Sequence, residues 1–288
     1  MAVEFSPSQT ANWSRCPVLW RLQNVEKWTT RSIGAKEISA LCGNVFGRGM
    51  EIYNKHAMRE GFDRVKHDEA FAKRVLDDAV EVARAYGDEE AKKLLDLGYT
   101  VDDPDGADAK IDITIKALRR HIPLEPTPED WIVLGAEVVS KEHGWCRCDV
   151  LYQTPQGHRV VRDYKFKLKL DPDYRASTLE EYGESTQRNH YLYAYDAQVF
   201  EVALVVAAPW YTPLIPFSRD EARLASWVAS QKEKWAHMER MKDGREAVWE
   251  ADVHRDKFGK CPMYDACLVY NRDPERMRLG GYIQIGRR

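Results

Sequence analysis

Asp149 and the triplet Asp163-Tyr164-Lys165 are the residues of this chain whose types and spacing best suit chemistry. They lie in the stretch 144–165, GWCRCDVLYQTPQGHRVVRDYK, where two strand-like runs flank the polar turn Thr154-Pro155-Gln156-Gly157. An antiparallel hairpin brings Asp149 near Asp163. Two carboxylates so placed can hold a hard divalent cation, Mg²⁺ or Mn²⁺, through oxygen. Lys165 follows Asp163 by two positions, so both side chains leave the same face of the strand. A carboxylate pair, a divalent cation and an adjacent lysine suit attack on a phosphodiester. The cation activates water and neutralises the scissile phosphate, while the lysine orients water or stabilises charge. Asp at a strand end is common and D-x-K arises by chance, so the motif needs structural context.

The elements that must position these residues are legible as a mixed α/β pattern. Residues 131–140, 145–152, 158–166 and 199–208 are strand candidates rich in β-branched residues. Residues 177–196 are expected to form a helix between the third and fourth strands, giving the order β-β-β-α-β. Upstream, 6–32 reads as a short helix and connector, capped by Ser6 or Ser8. Residues 36–61 read as a helix whose Gly47 and Gly49 cost up to about 1 kcal/mol each. A loop at 43–49 is the alternative. Residues 68–97 carry helical spacing and read as a helical hairpin. Asp102–Gly106 is a turn, 110–121 a further helix, and Pro123–Pro128 a connector. Ser218-Arg219-Asp220-Glu221 reads as a capping box opening a helix to about residue 242. The tail from 250 is loop-rich and holds the last two cysteines.

The chain has 288 residues, 44% hydrophobic and 31% charged, enough for a well-buried core. Its net charge of −3 is less basic than a dedicated duplex-coating protein would carry. A nuclease tolerates this balance, because its site needs acids and its basic residues can be local. No apolar run approaches the roughly 20 residues that span a bilayer, and the first residues do not read as a secretory signal. A cytoplasmic protein is the expectation. Its 6 cysteines are then thiols or metal ligands rather than disulfides.

Taken in order, these motifs resemble the PD-(D/E)XK nuclease superfamily, in particular its RecB/AddB-type and CRISPR-associated iron–sulfur exonucleases. Asp149 matches the first acidic position, and Asp163 with Lys165 the (D/E)-x-K pair. The stretch from Ser6 to Cys16-Pro17 is similar to the family's opening helix. Gly47-Arg48-Gly49-Met50-Glu51 resembles the helix motif G-x-x-x-H, with Glu51 in place of histidine. Gln187-Arg188-Asn189-His190-Tyr191 resembles the Q-x-x-x-Y helix, and Cys261 to Cys267 the C-terminal C-x5-C of cluster-binding members. The resemblance spans residues 5 to about 268. It implies a restriction-endonuclease-like core, a mixed central sheet flanked by helices, with a helical insertion. The whole chain, 1–288, is then a single nuclease domain: helical part and insertion 1–128, sheet core 129–210, and C-terminal helix and tail 211–288.

Each site residue has a functional and an ordinary reading. Glu51 is a candidate third metal ligand or a solvated helical glutamate. His56, five residues on, faces elsewhere on the helix. Glu137, in an apolar strand, either assists the site or forms a structural salt bridge, the second being the stronger expectation. The resemblance implies that Tyr164 lends its backbone carbonyl to the metal. It also implies that Gln187 and Tyr191, one helical turn apart, look into the cleft. Gln187 would orient water and Tyr191 contact DNA; ordinary packing is the alternative. Arg188 and Lys167 are candidate phosphate contacts, as are His190 and Lys169, or else solvated charge. By the same resemblance Cys16, Cys261 and Cys267 would ligate a [4Fe-4S] cluster joining the chain ends, with Asp256 or His254 as fourth ligand. A zinc site or plain buried thiols are the alternatives. Cys146, Cys148 and Cys42 read as core. The function expected is a Mg²⁺- or Mn²⁺-dependent DNA exonuclease acting on single strands or ends, with a helicase, recombination or CRISPR partner. The alternative is a catalytically inactive DNA-binding or partner-binding module of the same fold.

Overall fold

The computed structural model describes residues 5–30, 32–33, 35–96, 100–101, 106–141, 146–243, 255–256, 259–260, 263, 266–267, 272, 274–279 and 282–284. The chain opens with helices α1 (Pro7–Arg15) and α2 (Pro17–Trp20), followed by short strands β1 (Trp28–Thr30) and β2 (Ser32–Ile33). Then come α3 (Ala35–Glu60), α4 (Phe62–His67), α5 (Glu69–Asp96), β3 (Thr100–Val101) and α6 (Gly106–His121). The sheet core contains β4 (Ile132–Ser140), β5 (Cys146–Gln153) and β6 (Arg159–Lys169). After it follow α7 (Arg175–Glu184), α8 (Thr186–Ala194), β7 (Val199–Ala208), β8 (Leu214–Ser218) and α9 (Glu221–Lys242).

The main sheet has the order β4-β5-β6-β7-β8. Its only parallel ladder joins β6 to β7, and every other neighbour is antiparallel. A parallel neighbour needs a crossover, which α7 and α8 supply. β7 reads VFEVALVVAA and is buried along most of its length, as a strand covered on both faces must be. One cover is α3, α5 and α6, whose Phe46, Met50, Val75 and Leu118 pack with Val150, Val160 and Val205 of the sheet. The other is α8 and α9, where Tyr191, Leu192 and Leu224 meet Val161, Val202 and Leu204. This is the α/β core that the sequence motifs imply.

The β5–β6 hairpin closes where expected. Gly157 takes φ of 83°, a left-handed conformation that glycine adopts without steric cost, and its N–H donates to Thr154 O at 2.8 Å. Helix α3 runs unbroken through Gly47 and Gly49, so the loop alternative at 43–49 is not what forms. Gly49 is needed for packing: a Cβ there would collide with Leu118 of α6.

Several expectations are corrected. Residues 69–96 form one helix rather than a hairpin, because its apolar stripe lies along a single groove against α3 and α6. The helix expected over 177–196 is two, since Ser185 is extended (ψ 142°) and caps α8 through Arg188 N. Asp220, not Ser218, caps α9, accepting from Arg223 N at 3.0 Å, while Ser218 ends β8. Strand β8 was not anticipated; Pro216 within it is tolerated because β8 is an edge strand. The turn proposed at Asp102–Gly106 lies almost wholly outside the described residues.

The two ends of the chain meet. β1 pairs antiparallel with the strand Tyr282–Gln284. Cys16, Leu19 and Trp28 share a core with Met263, Ala266 and Met277, and Cys267 packs against it. Trp13 and Trp20 also pack on Trp235 and Met241 of α9. Among the described residues, no helix is long and apolar enough to cross a membrane.

Candidate active site

The site lies where the ladder between β5 and β6 ends. Pairing runs from Gln153↔Arg159 to Val150↔Arg162, and Asp149 and Asp163 are the next residue on each strand. Asp163 is 3% exposed. Gln187 Nε2 donates to its Oδ1 at 2.8 Å, and Lys165 Nζ lies 2.6 Å from its Oδ2. Asp149 Oδ2 accepts from the backbone N–H of Tyr164 at 2.6 Å. The hairpin thus brings Asp149, Asp163, Lys165 and Gln187 together.

Burial and then the charge of Asp163 push the Asp149 carboxyl up to about 8, against the smaller opposing pull of Lys165 and the Tyr164 N–H. Burial lowers the Lys165 ammonium, but Asp163 and Asp149 more than offset it and leave it raised. Lys165 is therefore cationic at neutral pH. Two carboxylates that cannot both ionise comfortably are what a divalent cation relieves, so the donor set fits Mg²⁺ or Mn²⁺. Glu51 on α3 and Glu137 on β4 widen that oxygen set, since both line the same cleft of about 490 Å³.

Glu137 reaches the cleft through an unusual backbone. The β4–β5 register passes from Ala136↔Val150 to Val138↔Cys148, with Glu137 and Asp149 standing between. Glu137 has φ of 53°, a region that non-glycine residues rarely enter without functional or packing reason. Burial raises its carboxyl, partly countered by Arg147, whose Nε lies 2.7 Å away. Glu51 is buried and ion-paired with Arg48 and Lys55 on its own helix. Glu137 forms the salt bridge that sequence reasoning favoured for it, with Arg147, whereas Arg48 and Arg147 themselves were passed over. The available signals were an acid inside an apolar strand and arginines close in sequence to Glu51 and Asp149.

Behind the site a buried polar knot joins its elements. Tyr152 Oη on β5 donates to Asn54 Oδ1 on α3 at 3.0 Å and lies 3.4 Å from Tyr164 Oη on β6. The Tyr164 side chain thus points away from Asp163, while its backbone stays at the cleft. Beside the knot, Arg162 is fully buried between Glu201 (Nη2–Oε2 2.8 Å) and Glu125, and His121 Nε2 lies 2.8 Å from Glu125 Oε2. Burial alone would raise Glu125, yet Arg162 and His121 pull it down to about 2.

Other expected site residues are placed differently. Tyr191 is buried and donates its hydroxyl to Arg147 O at 2.7 Å while accepting from Gln187, so its ring offers no free face to a base. Arg188 donates to the carbonyls of Gly183 and Ser218, each at 2.9 Å. Lys167 lies on β6 on the same side as Lys165. His190 is buried against Trp227 and Trp235. His56 pairs with Asp78 at 3.1 Å, away from Glu51 as expected. Cys42, Cys146 and Cys148 are buried core residues. Cys16 and Cys267 come into one cluster, whereas Cys261, His254 and the Asp256 side chain lie outside the described residues. An exposed trio, Asp63, His67 and Glu129, has ligand atoms within 4.8 Å of one another, but none of the three lines the cleft.

A family model described as the PD-(D/E)XK nuclease superfamily matches residues 4–268. No curated protein matches the chain. A solved structure titled "Crystal structure of SSO0001" is similar at 16% identity, covering 51% of this chain and 70% of that one, with a TM-score of 0.24, too low to carry an argument. A family match over nearly the full length, on a chain whose two acids and lysine meet at a strand fork, places it: the protein belongs to the PD-(D/E)XK nuclease superfamily.

Proposed function

We propose that this protein is a metal-dependent DNA nuclease, and more narrowly an exonuclease on single-stranded DNA or DNA ends, of the RecB/AddB-type and CRISPR-associated branch. Residues 1–288 would then act as one nuclease domain. The observation that carries the reading is the pair Asp149 and buried Asp163 at the β5–β6 fork, with Lys165 Nζ 2.6 Å from Asp163. Asp149 and Asp163 would hold the cation, with Glu51 and the Tyr164 carbonyl as further oxygen donors. A bound Mg²⁺ or Mn²⁺ supplies Lewis-acid charge at the scissile phosphate and eases deprotonation of water. Lys165, cationic beside two acids, positions the attacking water and offsets charge developing on phosphorus. Gln187 holds Asp163 in register and keeps Tyr191 beside it.

The chain ends that carry Cys16 and Cys267 pack together, and a cysteine-ligated [4Fe-4S] cluster that also uses Cys261 and a fourth ligand, Asp256 or His254, would join them. Iron content and visible absorption of anaerobically purified protein, compared with Cys16→Ser, test that part separately. DNA is the proposed substrate, and a helicase, recombination or CRISPR assembly the proposed partner.

The test of activity is Mg²⁺- and Mn²⁺-dependent cleavage of end-labelled single- and double-stranded DNA by wild type and Lys165→Ala. Cleavage by wild type that is lost in the variant is expected. DNA retention without cutting in either metal would instead assign the chain as a binding module of the same fold.

A further inference from the structure

Three of the four carboxylates lining the cleft already hold a cation that also lines it: Glu51 holds Arg48, Glu137 holds Arg147 and Asp163 holds Lys165. Asp149 takes a backbone N–H instead. Counted over the residues that line it, four acids face three cations, so the cleft offers a phosphate backbone no net positive charge. A divalent cation reverses that balance and competes for the same carboxylate oxygens.

The two arginine pairs are built unevenly. The Glu51 and Glu137 side chains are 5% and 22% exposed, while Arg48 and Arg147 are 43% and 57% exposed. Each acid is thus anchored inside the cleft and each guanidinium reaches its mouth. Pairs with so exposed a partner are worth only about 0.2–1 kcal/mol, so they exchange at little cost. Guanidinium is also the side chain whose planar fork best matches phosphate oxygens.

We infer that Arg48 and Arg147 are phosphate-gripping residues which the metal-free cleft keeps paired to its own carboxylates, so that divalent-cation binding and nucleic-acid binding reinforce each other. The inference rests on reading the cleft as the cation site of a nuclease. When Glu51 and Glu137 turn to the cation, Arg48 and Arg147 are released at the cleft mouth with a net positive field behind them. Linkage makes the effect reciprocal: whatever factor the cation adds to oligonucleotide affinity, the oligonucleotide adds to cation affinity.

The test compares Arg48→Ala/Arg147→Ala with its parent, both in a Lys165→Met background that blocks turnover. Calorimetry measures Mg²⁺ binding, and fluorescence anisotropy measures a labelled single-stranded oligonucleotide in Mg²⁺ and in EDTA. Without oligonucleotide, the double variant should bind Mg²⁺ about fivefold more tightly, because Glu51 and Glu137 lose a competitor. Its oligonucleotide affinity in Mg²⁺ should fall about tenfold, with a salt dependence shallower by about 0.7 per arginine. In EDTA the two proteins should bind oligonucleotide alike. Arg147→Ala alone should show the same two opposite signs at smaller size. Mg²⁺ and oligonucleotide affinities that fall together, or neither changing, would overturn the inference while leaving the nuclease reading intact. A parent that binds neither Mg²⁺ nor oligonucleotide would overturn that reading, and the inference with it.

Discussion

Arg162 and Asp163 are neighbours on β6 and are both buried, at 0% and 3% exposed, yet they sit in opposite electrostatic worlds. On the Arg162 side, Glu125 and Glu201 flank the guanidinium, and Thr127 and His121 share the same network. Each charge there touches an opposite one, and Glu125 stays ionised far below its ordinary range. On the Asp163 side, four carboxylates gather around the cleft, and Asp149 is driven toward its protonated form. A buried charge with its full complement of partners makes structure. A buried charge left in excess makes a site that asks for a ligand.

The sharpest way to break this contrast is to remove charge on each side of the strand. Asp163→Asn or Lys165→Ala should lower cleavage by about 1000-fold or more while far-UV circular dichroism and cooperative melting persist. Arg162→Met should do the reverse. It strands Glu125 and Glu201 and should cost about 3–5 kcal/mol in denaturant unfolding, with the folded fraction cleaving within a few-fold of wild type. Equal effects of both substitutions on stability would erase the distinction.

The pH dependence sharpens it. Asp149 keeps its proton to about pH 8 in the folded metal-free protein but loses it near pH 4 when unfolded. Between those values the native state binds more protons, so stability falls as pH rises. Asp149→Asn in EDTA at pH 8 should therefore melt several degrees higher than wild type, at about 2–4 °C per kcal/mol. Glu125 gives the opposite sign: its folded pKa of about 2 contributes stability above its unfolded value near 4, which is lost as pH falls toward 2. Glu125→Gln should flatten the acid limb of a melting curve and leave the alkaline limb unchanged. The smallest effect is expected at the knot. Tyr164→Phe removes one hydroxyl from the Asn54–Tyr152–Tyr164 group and should cost about 1 kcal/mol in unfolding.

Strands β4 to β7 and the Asp149–Asp163 hairpin were legible because runs of β-branched residues and a Thr-Pro-Gln-Gly turn are short-range signals. The split at Ser185 and the single helix α5 were not, since one extended residue or one missing turn leaves periodicity almost unaltered. Arg188 and Tyr191 looked like nucleic-acid contacts in sequence. What the sequence did not show were their partners distant in the chain, the Ser218 and Arg147 carbonyls. The left-handed Glu137 was invisible for a related reason: its backbone conformation is set by the fold around it and not by its residue type.

Mn²⁺ titration by calorimetry near pH 7, in two buffers of different protonation enthalpy, tests most directly whether the excess carboxylate of this cleft is a cation site. Wild type should bind Mn²⁺ with a buffer-dependent heat that reports proton release from Asp149. Asp149→Asn should bind about tenfold or more weakly and lose that release. Binding and proton release unchanged in Asp149→Asn, or no binding by wild type, would contradict the account.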